Sequence, residues 1–281
     1  MYVILDLWEL DRFNYKWPSP DLNLIYRNFY PTDLEKAMSP TPVRSVIAVQ
    51  VLNDSEIETW HNLQLAKKHP FIKAVVGWVD LTNPNVEQNL VTLAENPLFV
   101  GVRDILDEHE DNWMLSGDVQ RALHVLDKLQ LTFDLLVRPR HLKYALQLVE
   151  NFPGLKIVVD HIAKPLIKER VFKGWEEDMA ELAKHSNVFC KLSGFVNEAD
   201  PTNWKSEDFK PYINHIVSCF GPHRCMFGSD WPVCMQSNAS YADVYNTLKD
   251  CLKHLTEENQ RRIFGQNAAE FYSVKTLLKN C

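Results

Sequence analysis

Leu131-Thr132-Phe133-Asp134-Leu135-Leu136-Val137 is an apolar run of strand length, and Lys156-Ile157-Val158-Val159-Asp160-His161 is another. Between them, from Arg140 to Asn151, Leu142, Ala145, Leu146 and Val149 recur at the i, i+3, i+4, i+7 spacing of one helix face. Strand, helix and strand within roughly thirty residues make a βα unit with parallel strands. Most runs of this kind in the chain are apolar on both faces, as strands covered by helices should be.

The same alternation extends in both directions. Further strands are expected over Tyr2–Trp8, Arg44–Val51, Ile72–Val79, Phe99–Leu106, Val188–Ser193 and Arg224–Ser229. Asp54 or Ser55 can cap a helix through Lys68, and Pro84 suits the first turn of the next. Ser116 precedes a helix over Asp118–Leu129, and others follow over Trp175–His185, Glu207–Phe220 and Tyr241–His254. Eight strands result, each followed by a helix, with the helix after the first left open. This predicts a single α/β domain over residues 1–281, a (β/α)8 TIM barrel over about 2–272 with a short tail. A doubly wound sheet is disfavoured, because no GxGxxG follows the first strand and the chain has only 9 glycines.

The chain has 281 residues, near the usual size of such a barrel. Its 30 Lys and Arg against 37 Asp and Glu give a net charge of −7, which argues against nucleic-acid and anionic-membrane partners. No apolar run reaches the length of a membrane span, and no basic-then-apolar leader pattern is seen. The 6 cysteines form no CxxC pair and read as reduced thiols, so a cytoplasmic location is expected. The expected partner is a small molecule, and self-association into a homo-oligomer is compatible with the sequence.

In a barrel, chemistry sits at the C-terminal ends of the strands. The polar residues there are Asp6, Gln50, Asp80, Arg103, Asp104, Asp134, Arg138, Asp160, His161, Lys164, Lys191, Ser193, Ser229 and Asp230. Asp230, ending the last strand, suits general-base work; its plain alternative is a helix cap or a rim salt bridge. His161 can shuttle a proton, donate to a carbonyl or ligate a metal, or it is a satisfied core histidine. Arg103, Arg138 and Lys191 converge on the mouth, either to hold an anionic substrate or to neutralise nearby aspartates. Trp8, Trp78 and Trp231 form a stacking wall for a sugar ring or cap the core.

Five motifs together resemble one family. They are Phe99-Val100-Gly101-Val102-Arg103, Phe133 to Pro139, Val159-Asp160-His161-Ile162-Ala163-Lys164-Pro165, Cys190-Lys191-Leu192-Ser193-Gly194 and Phe227 to Cys234. From about Leu7 to Tyr272 the chain resembles the amidohydrolase superfamily, and within it the branch of TIM-barrel lactonases acting on sugar lactones or pyrone dicarboxylates. The resemblance implies hydrolysis of a lactone ester, with Asp230 activating water and His161 polarising the carbonyl or holding a metal. It implies an anionic or sugar lactone as the small-molecule substrate, held by the cationic rim, and the substrate contacts expected at the mouth are Arg103, Asp104, Arg138, Lys191, Trp78 and Trp231.

The departure is on strand one. Where the superfamily carries His-x-His, alignment on Trp8 places Ile4 and Asp6. After Arg103, where a histidine often follows, stands Asp104. The enzyme is thus expected either to need no cofactor or to hold one divalent metal such as zinc through Asp6, His161 and Asp230. The alternatives are a catalytically impaired barrel and another superfamily activity, such as decarboxylation or amide hydrolysis. An alternative start or splice that replaced the first strand is a further expectation.

Overall fold

The computed structural model describes residues 4, 5, 8–13, 15, 17–51 and 55–274. Eight parallel strands stand side by side in sequence order. They are β1 (Ile4–Leu5), β2 (Val46–Val49), β3 (Ile72–Gly77), β4 (Phe99–Ile105), β5 (Thr132–Leu136), β6 (Ile157–Val159), β7 (Val188–Leu192) and β8 (Cys225–Phe227). Between and after them run α1 (Pro31–Met38), α2 (Glu56–Lys68), α3 (Val86–Ala94), α4 (Gly117–Lys128), α5 (Leu142–Asn151), α6 (Trp175–Leu182), α7 (Ser206–Phe220) and α8 (Tyr241–Cys251). Two short helices close the described chain, α9 (Glu257–Arg261) and α10 (Asn267–Phe271).

This is the expected α/β barrel, with strand ends within a few residues of those read from sequence. Beyond β8, Trp231 packs edge-to-face on Phe29 at 5.2 Å, and Phe29 packs on Trp8 beyond β1 at 5.1 Å. Phe29 therefore bridges the segments that follow the first and last strands. Trp231 and Trp8 are buried there, with Trp8 Nε1 donating to the Arg27 carbonyl.

The helix after the first strand, left open by the sequence, is α1. Pro31 begins it and the Asp33 carboxylate accepts from the Tyr30 amide at 3.0 Å. Its short face of Pro31, Leu34 and Met38 is too brief to register as a period. By contrast, Ser55 caps α2 as expected, accepting from the Ile57 amide at 3.2 Å.

Two apolar layers hold the barrel. Helices cover the outside of the sheet. Inside, Ile47, Val49, Ala74, Val76, Val158 and Met226 pack on Ala268, Ala269, Phe271 and Tyr272 of the C-terminal segment. That segment fills the interior with apolar bulk and leaves polar side chains to the strands' C-terminal ends.

Candidate active site

Arg103, Asp134 and Lys191 point into the barrel from β4, β5 and β7. Arg103 and Asp134 are register partners on adjacent strands. Lys191 Nζ lies 2.5 Å from Asp134 Oδ2 and 2.5 Å from Asp160 Oδ1. Arg103 Nη1 lies 3.2 Å from Asp160 Oδ2, and its Nη2 donates to the Gln50 carbonyl. Tyr272 donates to Asp134 Oδ2 at 2.6 Å. Lys191, Asp134 and Asp160 have 0% exposure, so each charge must be met by its neighbours. Burial pushes the Asp160 carboxyl up, but Lys191, Arg103 and His161 outweigh it and hold it down to about 2. Asp134, with one cation only, is driven up by burial despite Lys191.

Immediately above this network, the chain leaves β6 through a left-handed turn. His161, Ile162, Ala163 and Lys164 have φ of 52°, 49°, 58° and 48°. That backbone costs an L-residue roughly 1–2 kcal/mol each and is found where function demands it. The turn ended β6 earlier than the apolar run suggested. Trp175 Nε1 anchors it by donating to the Ile162 carbonyl at 2.8 Å. His161 Nδ1 shares a hydrogen bond of 2.9 Å with Ser193 Oγ. Gly194, at φ 67°, lies against the same ring, where a Cβ would stand 2.6 Å from the His161 Cβ. Burial first, then Lys164, Arg103 and Lys191, hold the His161 imidazole well below its usual pKa against the pull of Asp160. It is therefore neutral near pH 7.

Asp230 follows β8, also left-handed at φ 52°. Its Oδ1 stands 3.7 Å from His161 Nε2, and its Oδ2 accepts from Asn197 Nδ2 at 2.7 Å. Both residues of the pair are nearly buried, at 6% and 8% exposure. They face a cavity of about 380 Å³, which also takes in Arg103, Arg138, Lys164, Asp107, Glu108, Asn197 and Glu198. Arg138 Nε donates to Asp107 Oδ2 at 2.6 Å, and its Nη1 lies 3.5 Å from Glu198 Oε2. Burial raises the Glu198 carboxyl against the opposing Lys164 and Arg138.

The structure brings Asp230, His161, Arg103 and Arg138 together in one cavity. Other residues proposed for the site lie elsewhere. Lys191 is sealed beneath the cavity by two carboxylates. Asp104 accepts from the Ile105 amide at 2.7 Å and lies 3.2 Å from His109, outside the cavity lining. Trp78 exchanges backbone hydrogen bonds with Thr59, and Trp231 caps the core. Sequence reasoning passed over Trp17, Asp107, Glu108, Asn197 and Glu198, which come from loops with no periodic signal. Lys164 carried a signal, its place at a strand end, and was not assigned a role.

A catalytic zinc takes three protein ligands and leaves one position open. Among the described residues, no three His, Cys, Asp or Glu side chains come together in a ligand set. His161 and Asp230 offer two donors, while Ile4 occupies one strand-one position and offers none. Asp6 lies outside the described residues. The donors described do not fit a zinc site. No helix among the described residues is long and apolar enough to cross a membrane.

Comparison with known proteins agrees with this fold. An L-fucono-1,5-lactonase of Burkholderia ambifaria is 36% identical over 271 residues, covering 95% of this chain and 93% of that one. An L-fucono-1,5-lactonase of Burkholderia multivorans is 30% identical, covering 95% and 93%. A crystal structure of a Burkholderia multivorans amidohydrolase with bound zinc superposes with a TM-score of 0.91 at 28% identity, covering 97% and 98%. The sequence profile of the Amidohydrolase family matches residues 7–274. The match spans nearly the whole barrel, and the chain belongs to the Amidohydrolase family, whose members are enzymes.

Proposed function

We propose that the chain hydrolyses the ester of a sugar-acid lactone, fuconolactone-like in size, in the cavity at the barrel mouth. The observation that carries this reading is the Asp230–His161 pair, 3.7 Å apart and nearly buried at one wall of that cavity. The names of the lactonase relatives support it.

Asp230 takes a proton from a water molecule, whose oxygen attacks the lactone carbonyl. His161 is neutral and donates one hydrogen bond through Nε2 to the oxygen on which charge develops. Arg103 and Lys164 line the same cavity and add positive potential there. As the ring C–O bond breaks, Asp230 returns its proton to the leaving alkoxide. One water and one lactone become one hydroxy acid.

The cavity wall favours a sugar lactone over a dianion. Its cations Arg103, Arg138 and Lys164 are matched by Asp107, Glu108, Glu198 and Asp230. Arg138 already lies between two carboxylates. Such paired donors and acceptors suit hydroxyl groups and leave little net positive charge for substrate carboxylates.

The test is a proton-release assay over a panel of neutral sugar-acid lactones, with wild type and Asp230→Asn, each with and without chelator. Wild-type turnover that falls by roughly 10²–10⁴-fold in Asp230→Asn supports the reading. Full activity in Asp230→Asn refutes the base. Chelator-sensitive turnover would add a metal that the described donors do not assemble. Sugar-acid binding that raises Tm with no turnover would replace hydrolysis by a binding role, the reading that Ile4 favours.

A further inference from the structure

We propose that Asn197, fixed in place by Ser237, is the positioning residue that aims the Asp230 carboxylate at the substrate. The proposal rests on the reading of Asp230 as the general base.

The turn after β7, Phe195–Glu198, packs against the turn after β8, Val233–Ser237. Asn197 Nδ2 donates to Asp230 Oδ2 at 2.7 Å, and Ser237 Oγ donates to Asn197 Oδ1 at 2.9 Å. The direction of this chain follows from its end. An ionised carboxylate only accepts, so Asn197 must turn its NH₂ toward Asp230. Its carbonyl oxygen then faces Ser237, whose hydroxyl must donate. Ser237 is 3% exposed and is held in turn, because its carbonyl accepts from Trp204 Nε1 at 2.8 Å.

An aspartate's terminal torsion is broad and nearly two-fold, so its two oxygens exchange places easily. Tying Oδ2 to Asn197 stops that exchange. The other oxygen, Oδ1, is left on the His161 side, where the water and the carbonyl must meet. The same loop also holds the partner, because Ser193 bonds the His161 ring four residues before Asn197. One loop thus sets both members of the pair, and Asn197 acts through Asp230 without touching the reacting atoms.

The experiment measures kcat, KM and Tm on the full chain for Asn197→Leu and Ser237→Ala, and for Asn197→Leu in an Asp230→Asn background. Asn197→Leu keeps the shape and removes the donor. It is expected to lower kcat by about 10- to 100-fold, as misplacement of a catalytic group does, with KM within about twofold. Ser237→Ala leaves Asn197 free to turn and is expected to lower kcat by about 3- to 10-fold, with Tm nearly unchanged. In the Asp230→Asn background, Asn197→Leu should add nothing, because contacting residues that act as one are not additive. Unchanged kcat in either variant overturns the proposal, and so does an equal loss in the Asp230→Asn background. Should Asn197→Leu fail to fold, Ser237→Ala decides alone. Full activity in Asp230→Asn would instead remove the base itself, a separate failure.

Discussion

Two polar clusters sit one above the other in the same barrel. The lower one is Asp134, Lys191, Asp160 and Tyr272, with Arg103 at its top, and its members are buried against one another. The upper one is His161 and Asp230, which open on a cavity and stand 3.7 Å apart. The lower groups pair with one another, Lys191 with Asp134 and Asp160, Arg103 with Asp160 and Tyr272 with Asp134. The upper pair is held from behind, by Ser193 and Asn197, and both of its members line the cavity. The difference shows how a barrel separates the charges that define its shape from those left for substrate. Arg103 belongs to both clusters, reaching Asp160 below and lining the cavity above.

The sharpest way to break this division is to unbalance the lower cluster. Lys191→Met leaves Asp134 and Asp160 without their shared cation, and removing one partner of a buried pair costs about 3–5 kcal/mol. Thermal unfolding should show Tm falling by on the order of 10 °C, while KM of the folded enzyme stays put. A raised KM with an unchanged Tm would make Lys191 a substrate ligand after all. Next in size is Gly194→Ala. Its methyl would press on the His161 Cβ and ring at 2.6–2.8 Å, on a backbone with φ 67°. Displacing a catalytic group by such amounts costs up to about 10²-fold in kcat, to be read in steady-state kinetics. An alanine variant with normal kcat would show that the His161 position is not critical.

The smallest effect lies outside both clusters and keeps acid lability from being mistaken for mouth chemistry. Burial, with Arg12 and Arg140 respectively, holds His61 and His141 below the usual 6.5. The unfolded chain therefore binds these protons first, and stability is lost as pH falls below about 6.5. Urea unfolding between pH 7 and 5 should show that decline, and it should be shallower in His61→Gln. An unchanged slope in that variant would contradict the assignment.

The division was only half legible in the sequence. Apolar runs and helical spacings marked all eight strands, because a buried parallel sheet leaves little freedom in composition. They could not separate Lys191 from Asp230. Both are polar residues at the end of an apolar run, and period two points both inward. What differs is exposure to the cavity, which Asp230 lines and Lys191 does not, and that depends on how the strands and the C-terminal segment fill the interior. The left-handed turn at His161 was hidden for a similar reason, since Asp160 and His161 read as the end of the strand. Asn197 and Glu198 come from a loop whose course is set by packing against the turn after β8. The strand-one departure, Ile4 and Asp6 in place of two histidines, was legible and remains the chain's clearest local difference from its superfamily's pattern.

The central claim is that the upper pair does chemistry and the lower cluster holds the fold. The most direct measurement is Tm together with kcat and KM on a neutral sugar-acid lactone, for Asp230→Asn and Lys191→Met in parallel. The account predicts opposite outcomes. Asp230→Asn keeps Tm within a few degrees and loses roughly 10²-fold or more of kcat, whereas Lys191→Met loses Tm and keeps KM. If Asp230→Asn turns over at the wild-type rate, or Lys191→Met melts like wild type while losing substrate affinity, the two clusters have been assigned the wrong way round.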